Sequence, residues 1–176
     1  MRLFATTAIL LASLAAFAGQ QAFAELKPDR VHLAQGRKIG NYIADGLFNG
    51  GDQAMNDVVV KDIRRAVNPG FERVVIDLQA TRGGEDAAIA RPPYYQVSVN
   101  PDENRIVVTI WGKPRLEFNS KKVVAEMKKS AMIQSVDLLP PMDGDSWTFV
   151  ANLKTKRPVE VFELANPVRI ILDIKR

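Results

Sequence analysis

Two stretches of this chain set an arginine and an aspartate four residues apart within an aliphatic strand pattern. They are Phe71-Glu72-Arg73-Val74-Val75-Ile76-Asp77-Leu78 and Pro167-Val168-Arg169-Ile170-Ile171-Leu172-Asp173-Ile174. Arg105-Ile106-Val107-Val108-Thr109-Ile110 is a partial third copy with Thr109 in the Asp place. Strand residues four apart share a face but lie roughly 13 Å apart, so Arg73 cannot reach Asp77, nor Arg169 reach Asp173. Each must meet a cross-strand neighbour, water or a ligand. One reading makes them cross-strand ion pairs on a solvated face, or guards against edge pairing. The other makes them a polar platform, one per sheet. It would offer a guanidinium and a carboxylate at fixed spacing to sugar hydroxyls, peptide carbonyls or carboxylates. Trp111 ends its strand on the side of Arg105, away from Ile106 and Ile110. An indole there can stack on a sugar or join a protein interface, or it can simply cover a sheet edge.

Catalytic chemistry is poorly supplied. A hydrolytic triad or a zinc amidase site needs histidines, and His32 is the only one. Glu85-Asp86 and the Asp143/Asp145 pair are acidic loop residues with nothing to set their pKa values apart. Asp143-Gly144-Asp145 lacks the remaining oxygen ligands of a calcium loop. Gly83-Gly84 lacks a strand-to-helix phosphate context. The chain has no cysteine, so disulfides, thiol-ligated metals and a lipid-bearing cleavage cysteine are excluded. The expectation is a protein that is no enzyme and uses no cofactor or metal.

The elements that must hold these side chains are mostly strands. From Val58 onward the apolar period is two. Val58-Val67, Phe71-Ala80, Tyr94-Asn100, Arg105-Trp111, Met132-Leu139, Ser146-Lys154, Val159-Leu164 and Val168-Lys175 read as strands. Asn68-Pro69-Gly70, a loop over 81–93, Pro101-Asp102-Glu103-Asn104, Gly112-Lys113-Pro114, Pro140-Pro141 and Asn166-Pro167 break them. Residues 119–130 predict a short helix capped by Asn119 or Ser120, with Val123, Val124 and Met127 as its apolar face. Trp147 falls with the core. About eight short strands with one or two short helices make a mostly β chain, a β-sandwich of two small sheets.

Before Val58 the signal differs. Met1-Arg2, the uncharged apolar run Leu3–Phe17 and Ala22-Phe23-Ala24 together read as a signal peptide over 1–24, cleaved near Ala24. The apolar run is too short to span a membrane, so no stable span is expected once it is removed. Residues 25–57 form an N-terminal extension. It opens as a mobile lead-in over 25–35, and Ile39, Tyr42, Ile43 and Leu47 predict a short helix over 36–48. The charge balance of 24 Lys+Arg against 20 Asp+Glu reads as a modest, scattered excess that suits acidic partners such as anionic polymers or lipid head groups, and no Lys/Arg run is dense enough to suggest nucleic acid.

The Phe71–Leu78 strand and the closing stretch Val161–Ile174 resemble the AMIN domain family, and residues 58–176 share its strand rhythm. The resemblance implies two similar small sheets with the two echoed strands in equivalent roles. AMIN domains are exported modules of bacterial envelopes. They precede the catalytic part of N-acetylmuramoyl-alanine amidases and the pore of type IV pilus secretins, neither of which follows here. The resemblance implies a periplasmic or otherwise exported, non-catalytic module binding peptidoglycan or an envelope complex attached to it. Arg73, Asp77, Arg169 and Asp173 become candidate ligand contacts beside Arg105 and Trp111. The alternative is an adaptor or inhibitor module that docks another exported protein through a sheet edge or face.

Overall fold

Period-two burial builds most of the molecule. The computed structural model describes residues 28–80, 91–142 and 144–176, so the expected signal peptide, residues 81–90 of the expected loop and Asp143 lie outside it. After a 3₁₀ turn at Pro28–Arg30, the strands are β1 (Val31–Leu33), β2 (Gly46–Gly50), β3 (Val58–Asn68), β4 (Phe71–Ala80), β5 (Tyr95–Asn100), β6 (Arg105–Trp111) and β7 (Arg115–Leu116). Helix α1 (Ser120–Met127) follows, then β8 (Ile133–Met142), β9 (Ser146–Leu153), β10 (Val159–Leu164) and β11 (Arg169–Lys175). A six-stranded sheet, ordered β1-β2-β5-β6-β9-β8, faces a five-stranded one, ordered β10-β11-β4-β3-β7. The expected mostly β sandwich is what forms.

Alternate residues of both sheets meet in one core. Val97 and Val99 of β5, Ile106, Val108 and Ile110 of β6, and Trp147 and Phe149 of β9 face Val74, Ile76 and Leu78 of β4 and Ile170, Leu172 and Ile174 of β11. Trp147, Tyr95, Phe48 and Phe149 are the largest fully buried side chains. Burial of one such side chain contributes about 2–3 kcal/mol. Helix α1 closes one end. Asn119 accepts a hydrogen bond from the Lys122 amide at 3.0 Å, and Val123 and Met127 are buried.

Several expectations fail for physical reasons. No helix forms over 36–48. Gly40 and Gly46 take positive φ values of 82° and 148°, and Ile39, counted in the helical stripe, is 54% exposed. The lead-in is built into the sheet: β1 runs parallel to β2, and β2 pairs with β5. Residues 35–43 form a strap along β10, with bridges Gln35–Phe162 and Ile43–Val159. Pro140 and Pro141 do not stop β8. It is an edge strand with a register shift between Leu139 and Met142, where missing amide donors cost little. The echoed strands also do not divide between the sheets. β4 and β11 are antiparallel neighbours in the same sheet.

Candidate functional site

The antiparallel pairing explains the echo. An Arg-x-x-x-Asp strand laid antiparallel on a second copy is self-complementary: Arg169 stands opposite Asp77, and Asp173 opposite Arg73. Only one of these pairs closes directly. Arg73 donates to both Asp173 oxygens at 2.6 and 2.8 Å. Asp77 is taken by Arg64 of β3, at 2.6 and 3.1 Å, and Arg169 turns its Nε to the Pro167 carbonyl at 3.1 Å.

The strap then covers the Arg73–Asp173 end. Lys38 of the strap also donates to Asp173, and its ammonium lies 3.5 Å from the centre of the Phe71 ring. The amides of Ile39, Gly40 and Asn41 donate to Glu160 Oε1 at 2.8, 2.6 and 3.2 Å. Asp173 is fully buried and Glu160 nearly so. Burial pulls the Lys38 pKa down, but its hydrogen bonds to Asp173 and Tyr42 outweigh this and leave it above the ordinary lysine value. The hydrogen bond to Asp173 likewise raises Arg73, against the opposing effect of burial. The expected solvent-facing guanidinium–carboxylate rows are therefore corrected at this end. Asp173 has no solvent face, while Asp77 and Arg169 keep partial exposure. The reason is packing, since the strap and Phe162 cover what alternation alone would leave wet.

The opposite sheet presents a different surface. Trp111 and Tyr94 lie on its outer side with ring centroids 5.1 Å apart, tilted by 36°. They line an open recess of about 250 Å³ together with Gln53, Met55, Asn56, Gly112, Lys113 and Asp145. Backbone geometry fixes its walls. Gly112 has φ 90°, its amide and that of Lys113 donate to the Asp145 carbonyl at 3.1 and 3.2 Å, and its own carbonyl accepts from the Asp57 amide at 2.8 Å. Gln96 Nε2 donates to the Tyr94 hydroxyl at 2.7 Å and steadies that ring. Beyond the recess, Gln96, Thr109 and Thr148 make one cross-strand row, and the two threonine hydroxyls are 3.3 Å apart. Ser98, Val107 and Val150 make the next row. Exposed Asp137 of β8 extends that row beyond Val150 and accepts from Asn152 at 2.9 Å, and Arg105, which lies roughly 20 Å along β6 from Trp111, bonds Asn152 and Glu103. The result is a flat face of hydroxyls and amides ending in a half-exposed aromatic pair. It can stack a ring on the aromatic pair and hydrogen-bond hydroxyls along the Gln96–Thr109–Thr148 row.

A family model described as an AMIN-like domain matches residues 58–176. The chain belongs to the AMIN-like domain family. No curated protein matches it. AMIN-like domains are non-catalytic modules of exported envelope proteins, which makes this chain the carrier of an envelope-associated module. Among the described residues, no group of three or more His, Cys, Asp or Glu could hold a metal ion, and no helix is long and apolar enough to cross a membrane. The AMIN-like match begins at β3, yet β1, β2 and the strap belong to the same sandwich. Gln53, Met55 and Asn56 of the recess also precede the match. The sequence pattern singles out Trp111 and gives Tyr94 only as the start of a strand, and it does not reach these three. Gly50-Gly51 was the available signal, because a Cβ on Gly51 would overlap the Pro93 carbonyl, so the chain before β3 must touch the segment before β5.

Proposed function

We propose that this protein is an exported, non-catalytic binding module of the bacterial envelope that recognises peptidoglycan, with residues 1–24 as the signal that sends it there. The observation that carries this reading is the half-buried Trp111–Tyr94 pair lining an open recess beside the Gln96–Thr109–Thr148 row of amide and hydroxyl groups. Sugar rings offer aliphatic C–H faces for stacking and hydroxyls for Gln, Asn and Thr partners. Family membership supports the envelope setting. Arg105 serves as an outlying polar contact on this reading; Arg169 and Asp77 lie on the outer face of the other sheet and take no part, and Arg73 and Asp173 hold the strap.

Co-sedimentation with purified sacculi tests it. The protein should pellet with sacculi, and Trp111→Ala should weaken pelleting about tenfold while leaving thermal melting nearly unchanged. Pelleting no better than that of an unrelated exported protein rejects the reading. A second reading has its own observation. Edge strand β1 exposes Val31 at 39% and Leu33 at 72%, which suits docking of an extended segment from another envelope protein. One partner recovered in stoichiometric amount, with no sacculus binding, would favour it.

A further inference from the structure

The net positive charge of this protein is not spread evenly. Discounting Arg2, the sequence from residue 25 carries 23 basic residues (24 less one) against 20 acidic. Residues 119–130 alone hold four lysines and one glutamate, which equals that whole surplus. Glu126 bonds Lys129 at 2.5 Å, which leaves Lys121, Lys122 and Lys128 as the uncompensated charge.

Helix α1 sorts these residues by face. Val123 and Met127 go into the core. Lys121, Val124, Ala125 and Lys128 share the outward side, where with Ser120 they line a shallow groove of about 330 Å³. Its floor is the half-buried Val124 and exposed Ala125, and its rims are Lys121 and Lys128. The ammonium group of neither rim lysine has a hydrogen bond or ion pair among the described residues. Helix stability does not account for them all. The macrodipole favours Lys128 and Lys129 beyond the last turn, but it disfavours Lys121 and Lys122 in the first turn, where no acidic residue stands. Two cations are thus kept where they weaken the helix, beside an apolar floor.

We infer that this outward face of α1 docks on an anionic phospholipid surface, with Lys121 and Lys128 on headgroup phosphates and Val124–Ala125 against the glycerol and upper acyl region. The apolar floor favours a lipid over a soluble phosphate polymer, which would use charge alone. The inference stands on a different sheet end and different residues from the Trp111 recess, and it holds or fails apart from it.

The test is flotation of the purified protein with vesicles of phosphatidylcholine and with vesicles of mixed phosphatidylcholine and phosphatidylglycerol. Parallel titrations use inorganic polyphosphate. Binding should require phosphatidylglycerol and fall with salt. Lys121→Gln/Lys128→Gln should lower it about 25-fold, at about fivefold per exposed lysine. Val124→Asn should lower vesicle binding severalfold and leave polyphosphate binding unchanged. The lysine variant lies on an exposed face and should melt within about 2 °C of the parent, whereas half-buried Val124 packs against the core, so Val124→Asn should cost about 1 kcal/mol, or about 2–4 °C, and remain folded. Equal binding to both vesicle types, or retention of binding by the double lysine variant, overturns the inference. Overturn would also follow if Val124→Asn left vesicle binding intact and polyphosphate bound as tightly as lipid.

Discussion

Asp173→Asn isolates what the strap contributes to folding. The substitution keeps the shape but removes the charge on which Arg73 and Lys38 converge, and it turns an amide donor toward two donors. Breaking a fully buried ion pair by deleting one partner costs about 3–5 kcal/mol. Here the aspartate is fully buried, but the Arg73 and Lys38 side chains are 26% and 34% exposed, so water takes up part of their loss. The expected cost is therefore about 2–3 kcal/mol, or roughly 4–12 °C of melting temperature for a chain of this size. Lys38→Met leaves Arg73 on Asp173 and should cost only about 1 kcal/mol. Combined with Asp173→Asn it should cost less than the sum, because the two changes share one interaction. Urea unfolding at neutral pH, followed by tryptophan fluorescence, reads all three variants. Buried Trp147 reports on the core. An Asp173→Asn midpoint within about 0.5 kcal/mol of the parent at unchanged slope would refute the claim that this cluster fastens the strap.

Three further outcomes follow from the geometry. Gly51→Ala should destabilise by about 2–4 kcal/mol or abolish soluble expression. Its φ is 80° and the added methyl would overlap the Pro93 backbone, which urea midpoints or soluble yield would reveal. Asn119→Ala removes the acceptor for the Lys122 amide and should cost about 1 kcal/mol in thermal melting, without affecting sacculus binding. Stability should be steady from neutral pH up to about pH 10 and then fall. Tyr95 is raised well above the ordinary phenol value by burial and then by the Glu163 carboxylate, and Lys38 is also raised in the folded state. Raised groups contribute fully below their unfolded pKa values, and that contribution is lost as pH climbs through the folded ones. A melting temperature that does not decline in alkaline buffer would contradict this.

Local pattern carried much of the fold. Strands β5 and β6 alternate cleanly, and α1 was legible from its Asn119 cap and the Val123/Met127 spacing. The strap was not legible, because its amides find their acceptor in Glu160, 119 to 121 residues away. No local window contains such a pairing. Ile170-Ile171-Leu172 offered a hint, since an unbroken aliphatic run implies burial on both faces of β11. The echoed motif was visible, but its role was not. Spacing showed that Arg and Asp of one copy cannot meet, while only the sheet order could show that the two copies answer each other. Trp111 could be placed outward by alternation, but the residues that complete its recess come from a segment with no strand rhythm.

The chain order of the five-stranded sheet has a consequence for how the protein comes into being. Its strand β11 lies between β10 and β4, yet it follows every other strand of the sandwich in chain order. A ribosome delivers this strand after all the others of the sandwich, and Lys38 waits 135 residues for its carboxylate partner. Until then half the sandwich lacks the piece that joins its flanks, so stable tertiary structure cannot form early. Such lateness keeps a nascent polypeptide slack enough to be threaded through a narrow channel before it folds.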